Sequence, residues 1–396
     1  MLTKRVKNMI PSMTIGITDK LEELKRNGID IIKFNIGEPD FNTPENISNA
    51  AKKALDEGFT RYTVVSGILE LREAIVKKLK EDNNLDYEVN NIVVSSGAKQ
   101  ALMNTILAIC EEDDEVIIPT PCWVSYIEMI KLSGSKPVLV SVDEKNGFKL
   151  NIDKIREAIT DKTKAILINT PNNPTGAVYS KEDLRELGKL AVENDFYIIS
   201  DEIYEKLVYD GERHVSIASL SSEIKEKTIT INGFSKAYAM TGWRLGYAVG
   251  PKDIIKGMND IQGHMTSGPN SIAQKAGVEA LTGPQESISI MIEEYGKRRK
   301  YLIEKLQGIN GITCPDVKGA FYVMPDVSSF YGKEYDGKVI KDSIDLSEFL
   351  LEKAHIAVVP GIAFEAPNSI RISYSNSLEN IKEGIGRMEK ALELLR

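Results

Sequence analysis

The sequence predicts an α/β protein in which a doubly wound, mostly parallel sheet domain is joined to a smaller α+β domain. Three observations predict it. Seven short runs have strand composition, and several are apolar throughout, as expected of strands buried on both faces of a parallel sheet. Helical patterns lie between many of them. After Gly283-Pro284 the pattern changes to one long helix followed by sparser strands, which marks a domain boundary.

In chain order the strand runs are Ile92 to Ser95, Glu115 to Pro119, Pro137 to Val142, Ala165 to Asn169, Phe196 to Ser200, Thr228 to Asn232 and Leu245 to Val249. The long helix places Ile288, Ile292, Tyr295, Leu302 and Leu306 on one face, with Lys297-Arg298-Arg299-Lys300 expected on the solvated side. Strand candidates at Ala320 to Met324 and Ser369 to Tyr374 and a closing helix from Leu378 make up the smaller domain, which the first forty-odd residues are expected to join. The polar stretch from Asp326 to Asp345, containing glycine and tyrosine, is expected to be a mobile lid or a surface loop.

At 396 residues the chain is long for one core, and 42% hydrophobic residues suffice for two. A net charge of -8 argues against a general nucleic-acid or anionic-membrane surface, but allows a small anionic ligand in a local basic pocket. No signal-peptide core and no apolar run of about 18 residues is present, so a soluble, cytoplasmic protein is expected. Cys110, Cys122 and Cys314 and the scattered His214, His264 and His355 indicate neither a disulfide framework nor a metal site.

Four features follow predicted strands, where α/β enzymes keep their chemistry. In SSGAKQALMN a strand runs through Gly97 into a helix whose unpaired N–H groups suit an anion, although such a turn is more often simple architecture. In NTPNNPTG, residues Asn169 to Gly176, prolines and a glycine fix a rigid turn able to hold an amide towards a ligand; alone it reads more often as an ordinary loop. In YIISDEIYEKL, Asp201 ends a buried strand and needs a cation or hydrogen bonds, with Tyr204 expected near it on the next helical turn. In GFSKAYAMTGWRLG, Lys236 lies among small and apolar residues rather than in a surface composition.

A desolvated lysine forms Schiff bases with carbonyls, and the lysine-linked cofactor of that kind is pyridoxal phosphate. The four features fit that molecule. Gly97 at the helix start, Ser235 and Arg244 would hold the phosphate, Lys236 the aldehyde carbon, Asp201 the pyridine nitrogen, and Asn173 and Tyr204 the phenolic oxygen. An ionised Asp201 would keep the ring nitrogen protonated and the ring an electron sink. Trp123, in PTPCWVSY, is placed to stack on the ring, a core tryptophan being the equally common alternative.

With NIGEPDF, SGAKQA, PNNPTG, SDEIYE and SIRISYS added in order, the chain resembles the class I aminotransferases of pyridoxal-phosphate fold type I over essentially its whole length. The resemblance implies a seven-stranded sheet domain, here 45–283, and a small domain, here 1–44 with 284–396, in a homodimer with shared active sites. It makes Lys236 the Schiff-base lysine and proton shuttle. Asp201, Asn173 and Tyr204 become ring contacts, and Ala98, Lys99 (by its backbone), Ser235 and Arg244 phosphate-side groups. Tyr62 would reach the neighbouring subunit's phosphate. Arg371, assisted by the Gly37 backbone, would bind the substrate α-carboxylate. A buried arginine without a carboxylate is costly, and its planar fork suits a substrate carboxylate, although an edge-strand salt bridge is the common alternative.

Lys99 and Thr14 further resemble the gamma-subgroup bacterial aspartate aminotransferases, some of which act on prephenate; there these two residues serve the distal carboxylate. Aspartate or glutamate is therefore the expected amino donor and 2-oxoglutarate an acceptor. Prephenate, aromatic or alanine substrates are alternatives. Ala98 replaces a commoner glycine and Cys122 a frequent aromatic, changes that bear on pocket shape. A lyase acting on cysteine conjugates would use the same cofactor residues, and a cofactor-binding regulator would need a DNA-binding domain not visible here.

Overall fold

The structure is a computed structural model that describes residues 2–7, 9, 26, 28–142 and 147–396. A short strand, β1 (Ile32–Lys33), precedes the main sheet, which is built from β2 (Ile92–Ser95), β3 (Glu115–Thr120), β4 (Lys136–Ser141), β5 (Thr163–Asn169), β6 (Tyr197–Asp201), β7 (Thr228–Gly233) and β8 (Gly246–Val249). These seven strands run in the order β2-β8-β7-β6-β5-β3-β4. All neighbours from β7 to β4 pair in parallel, while β8 is antiparallel to both β7 and β2. The apolar runs therefore fall where expected, within a residue or two at each end.

Helices cover both faces of this sheet, so its strands are apolar on both sides. Along β5, Ala165 and Leu167 enter one core while Ile166 and Ile168 enter the opposite one, the period of two of a strand. Register then decides where the chemistry goes. Asn169 pairs with Asp201, Asp201 with Ile231, Gly233 with Gly246, and Gly246 with Ser95. The segments leaving β2, β5, β6 and β7 thus open onto one edge of the sheet.

The other strands, β9 (Tyr322–Val323), β10 (Glu334–Tyr335), β11 (Lys338–Val339), β12 (Ile356–Ala357), β13 (Val359–Pro360) and β14 (Ile370–Ser373), form a smaller body. Its three-stranded sheet has the order β13-β14-β9, so Arg371 stands on a central strand and not on an edge. Ile32 pairs with Ile356 in parallel, which ties β1 to this body. The helix Glu286–Gly308 crosses it and meets the closing helix Leu378–Leu392.

Two expectations are corrected. Arg298 and Arg299 are buried, not solvated: four consecutive helical residues spread over about 300° of the helix, and these two fall beside the Tyr295–Leu302–Leu306 stripe. Each is met by carboxylates, Arg298 by Asp40 at 2.8 Å and Glu294 at 3.1 Å, and Arg299 by Asp210 and by Asp316 at 2.6 Å. The stretch from Asp326 to Asp345 is built structure, holding the β10–β11 hairpin and the buried Phe330 and Ile340, and none of it lines the cavity described next.

Candidate active site

At the sheet edge lies a cavity of about 440 Å3 between the two bodies. Gly37, Ala98, Lys99, Trp123, Asn173, Asp201, Tyr204, Ser235, Lys236, Arg244 and Arg371 all line it. The sequence had these on seven separate segments. Gly97 lies directly behind, as the cap of the helix Ala98–Ile109. Tyr62 is 95% exposed on the single chain and does not reach this cavity. Thr14 lies outside the described residues.

Gly97 has φ +86, and a Cβ on it would sit 2.6 Å from Arg244 Nη2, so glycine is what lets the guanidinium lie over the helix start. Gly246 is as tightly fitted: its Cβ would fall 2.3 Å from the Ala98 nitrogen. No side chain caps the helix, and the N–H groups of Ala98 and Lys99 have no partner among the described residues. Arg244, itself in left-handed backbone at φ 55, donates to the Thr241 carbonyl at 2.9 Å. Open amides, the buried Ser235 and a guanidinium together form an anion cradle.

The loop after β5 is held by its own asparagines. Asn169 donates to the Asp201 carbonyl at 2.9 Å and accepts the Asn173 N–H at 2.8 Å, which turns the Asn173 amide into the cavity. Thr170-Pro171 and Asn173-Pro174 are both cis. Tyr204 sits in a turn, not on a helix as expected, because residues 203–206 never enter one. Its hydroxyl faces that of Tyr322 at 3.0 Å.

Asp201 is buried, with the Tyr126 hydroxyl donating to it at 2.7 Å and the Ile203 N–H at 3.2 Å, and no cation pairs with it among the described residues. Burial pushes its carboxyl up to about 6, against the pull of those two donors. Lys236 donates to the Gly37 carbonyl, which ties the lysine to the segment after β1. Burial first, and then the Arg371 charge, push the Lys236 amine down to about 8, so that about a tenth of it is neutral and nucleophilic at pH 7, far more than of an ordinary lysine.

Arg371 is buried and donates to Asn173 Oδ1 and the Asn35 carbonyl, each at 3.0 Å. Its Nε has no partner, and no carboxylate pairs with it among the described residues. Burial lowers its pKa. Lys99 Nζ lies 4.6 Å from the Trp123 ring centre and 3.4 Å from Ser125 Oγ; burial and the Arg244 charge lower its pKa. Trp123 is half-buried and faces the cavity, which sets aside the core-tryptophan reading.

Sequence reasoning missed Asn35, Glu38, Tyr126, Asn169, Thr241 and Tyr322, all lining the cavity. Most lie inside motifs already noticed, yet which side chain faces a ligand depends on register. Outside the cavity, Glu202, Glu205 and His214 gather in a buried set, but the Lys78 ammonium already occupies Glu205. Burial works to raise the Glu205 carboxyl, and Lys78 and His214 overcome it and hold it at about 2.

Residues 29–388 match the family described as aminotransferase class I and II. The aspartate aminotransferase of Bacillus sp. (strain YM-2) is 46% identical, over 98% of each chain. A probable aspartate/prephenate aminotransferase of Aquifex aeolicus is 45% identical over 99% of this chain and 98% of its own. The crystal structure of the aspartate aminotransferase from Rhizobium meliloti superposes with a TM-score of 0.97 at 41% identity, covering 100% of both chains. With a match of this length to the family and full-length relatives at this identity, the chain belongs to the class I and II aminotransferases.

Proposed function

We propose that this aminotransferase depends on pyridoxal 5'-phosphate and moves the amino group of aspartate or glutamate to a 2-oxo acid such as 2-oxoglutarate by a ping-pong mechanism. The observation that carries the reading is a buried guanidinium with no carboxylate, Arg371, sharing one cavity with an amine pushed down to about 8, Lys236. When bound, pyridoxal phosphate supplies an aldehyde that links to an amine and a ring that stores electrons.

The residues fit that group. The Ala98 and Lys99 amides, Ser235 and Arg244 form the anion cradle its phosphate needs. Asp201, buried without a cation, suits a protonated ring nitrogen, which would return its carboxyl to the ionised state. Asn173 and Tyr204 would hold the phenolic oxygen and Trp123 would stack on the ring; all three line the cavity.

Arg371 then receives the substrate α-carboxylate through its free Nε and its fork, and so orients Cα towards Lys236. Lys236 Nζ takes the proton from Cα and returns it on the cofactor side, and reverses this with the acceptor in the second half-reaction. Lys99 and Thr14 are assigned the distal carboxylate. Transamination of prephenate is the second reading, favoured by the name of the Aquifex aeolicus relative.

The division into a large domain, 45–283, and a small domain, 1–44 with 284–396, belongs to the same reading. So do a homodimer in which Tyr62 serves the partner's phosphate, and a cytoplasmic location. No helix among the described residues is long and apolar enough to cross a membrane. The test is an absorbance titration of the loaded protein with aspartate, glutamate, alanine, phenylalanine and cysteine. Rapid loss of the lysine-bound cofactor band with aspartate or glutamate is expected. Better conversion by alanine or phenylalanine would remove the dicarboxylate assignment, and release of pyruvate and ammonia without an acceptor would point to lyase chemistry.

A further inference from the structure

Tyr204 and Tyr322 are both buried, and each hydroxyl has the other as its only hydrogen-bond partner among the described residues. Two phenols carry two O–H hydrogens. One makes the mutual bond and the other remains to point elsewhere. Which tyrosine keeps the spare hydrogen therefore decides what the cavity is offered.

The surroundings of the pair decide it. Tyr204 leaves the end of β6 beside Asp201, and Lys236 Nζ stands 5.6 Å from its ring centre, so its hydroxyl belongs to the reacting side. Tyr322 stands on β9, next to the strand that carries Arg371, and is crossed by the segment before Phe41: a Cβ on Gly37 would lie 3.3 Å from its hydroxyl oxygen. The Arg371 guanidinium lies 4.5 Å from the centre of the Tyr322 ring. A cation over the ring face draws density from it and makes the hydroxyl a better donor. The spare hydrogen thus belongs to Tyr204, and Tyr322 donates.

We propose that Tyr322 is a positioning residue: it donates to the Tyr204 oxygen, fixes the Tyr204 hydroxyl, and leaves that residue's own hydrogen aimed at the phenolic oxygen of the cofactor. This rests on the functional reading above. A hydroxyl that accepts a hydrogen bond donates a stronger one, by roughly 10–30%. Tyr322 acts on the cofactor through Tyr204 and has no effect of its own once that hydroxyl is gone.

The charged and titratable groups around the pair are Arg371 on β14 and Asp201 at the end of β6, with Lys236 after β7 beside the Tyr204 ring and Glu38, which acts on Lys236, in the same cavity. Tyr322→Phe leaves all four in place and keeps the ring beneath Arg371 and against Tyr204 and Phe321.

The experiment is a pH titration of the lysine-bound cofactor absorbance in four forms of the full-length protein: unsubstituted, Tyr322→Phe, Tyr204→Phe and the double variant. Losing a donor to the phenolic oxygen raises the proton affinity of the adjoining nitrogen. Tyr204→Phe is therefore expected to raise the midpoint by about 1–2 on the pH scale, the weight of one charge-assisted hydrogen bond. Tyr322→Phe should raise it by about 0.3 alone, and by nothing in the Tyr204→Phe background. A midpoint unmoved by Tyr322→Phe, or moved equally with and without the Tyr204 hydroxyl, overturns the proposal. A protein that takes up no cofactor, or shows no pH-dependent band, overturns the functional reading and this proposal with it.

Discussion

Arg371 donates to the side-chain oxygen of Asn173 at 3.0 Å, which joins a central strand of the smaller body to the proline-bounded loop after β5. The two residues are far apart in sequence, and both are buried: the guanidinium has no carboxylate among the described residues, and the Asn173 oxygen is one of its two hydrogen-bond acceptors among them. A lysine cannot keep both this bond and a fork to a substrate. Arg371→Lys is expected to lower kcat/KM for aspartate about 100- to 1,000-fold by steady-state kinetics, the loss of one or two charge-assisted bonds. A loss below about fivefold would remove Arg371 from the substrate.

Asp201 predicts a stability cost whose sign can be checked. Its carboxyl is raised to about 6, above the ordinary carboxylate range of about 3.9, so between these pH values the folded chain holds more protons than the unfolded one. In the cofactor-free protein stability therefore falls as pH rises through that window, and the cost stays in full above it. Asp201→Asn should stabilise the cofactor-free protein by roughly 1–2 kcal/mol at pH 8 and by little at pH 4, seen as a higher Tm only at the higher pH. The same change should weaken cofactor retention. Equal Tm differences at both pH values would contradict the burial argument.

Gly97→Ala tests the anion cradle. The new methyl meets a left-handed backbone at φ +86 and the Arg244 guanidinium at 2.6 Å, so the arginine must give way. The expected outcome is a loss of about 1–3 kcal/mol in unfolding free energy together with weaker binding of pyridoxal phosphate, measured by equilibrium dialysis. Full cofactor affinity in a folded variant would detach Arg244 from the phosphate.

Complementation tests the proposal that two copies of the chain form a homodimer with shared active sites. Tyr62 is 95% exposed on one chain and is not part of that chain's own cavity lining, while Lys236 lines it. Lys236→Ala and Tyr62→Ala homodimers should both be impaired, the first fully. Mixed dimers should regain up to about half the native activity, because one of their two sites combines an intact Lys236 with an intact Tyr62. No recovery on mixing would leave Tyr62 without a role across the interface.

Legibility followed the period of the chain. Strands buried on both faces are continuous apolar runs, so β2, β5 and β7 were placed within two residues at each end, and so was the location of Lys236 just beyond β7. Register and tertiary contact were not legible. Tyr126 beneath Asp201 and Tyr322 beneath Arg371 look in sequence like core aromatics, because nothing local distinguishes a buried ring from one with its hydroxyl in a cavity. Arg298 and Arg299 were misplaced for the converse reason: composition marks charge as exposed, and the partners Asp40, Asp210 and Asp316 come from distant segments.

The role proposed for Lys99 in substrate choice can be tested from its setting. A cation in the first turn opposes the helix dipole, and here it also lies beside Arg244, which with burial lowers its pKa. It rests over Trp123 at 4.6 Å with only Ser125 as a hydrogen-bond partner, so a dicarboxylate would bring it the anion that the described residues do not. Lys99→Ala should reduce kcat/KM for aspartate by about 10- to 150-fold, the weight of one charged contact, while alanine and phenylalanine change little. Because the change also relieves repulsion with Arg244, the loss on aspartate should not arise from weaker cofactor retention. Equal losses on all three amino acids would place Lys99 with the cofactor alone, and the preference for dicarboxylates would have to be sought elsewhere in the cavity.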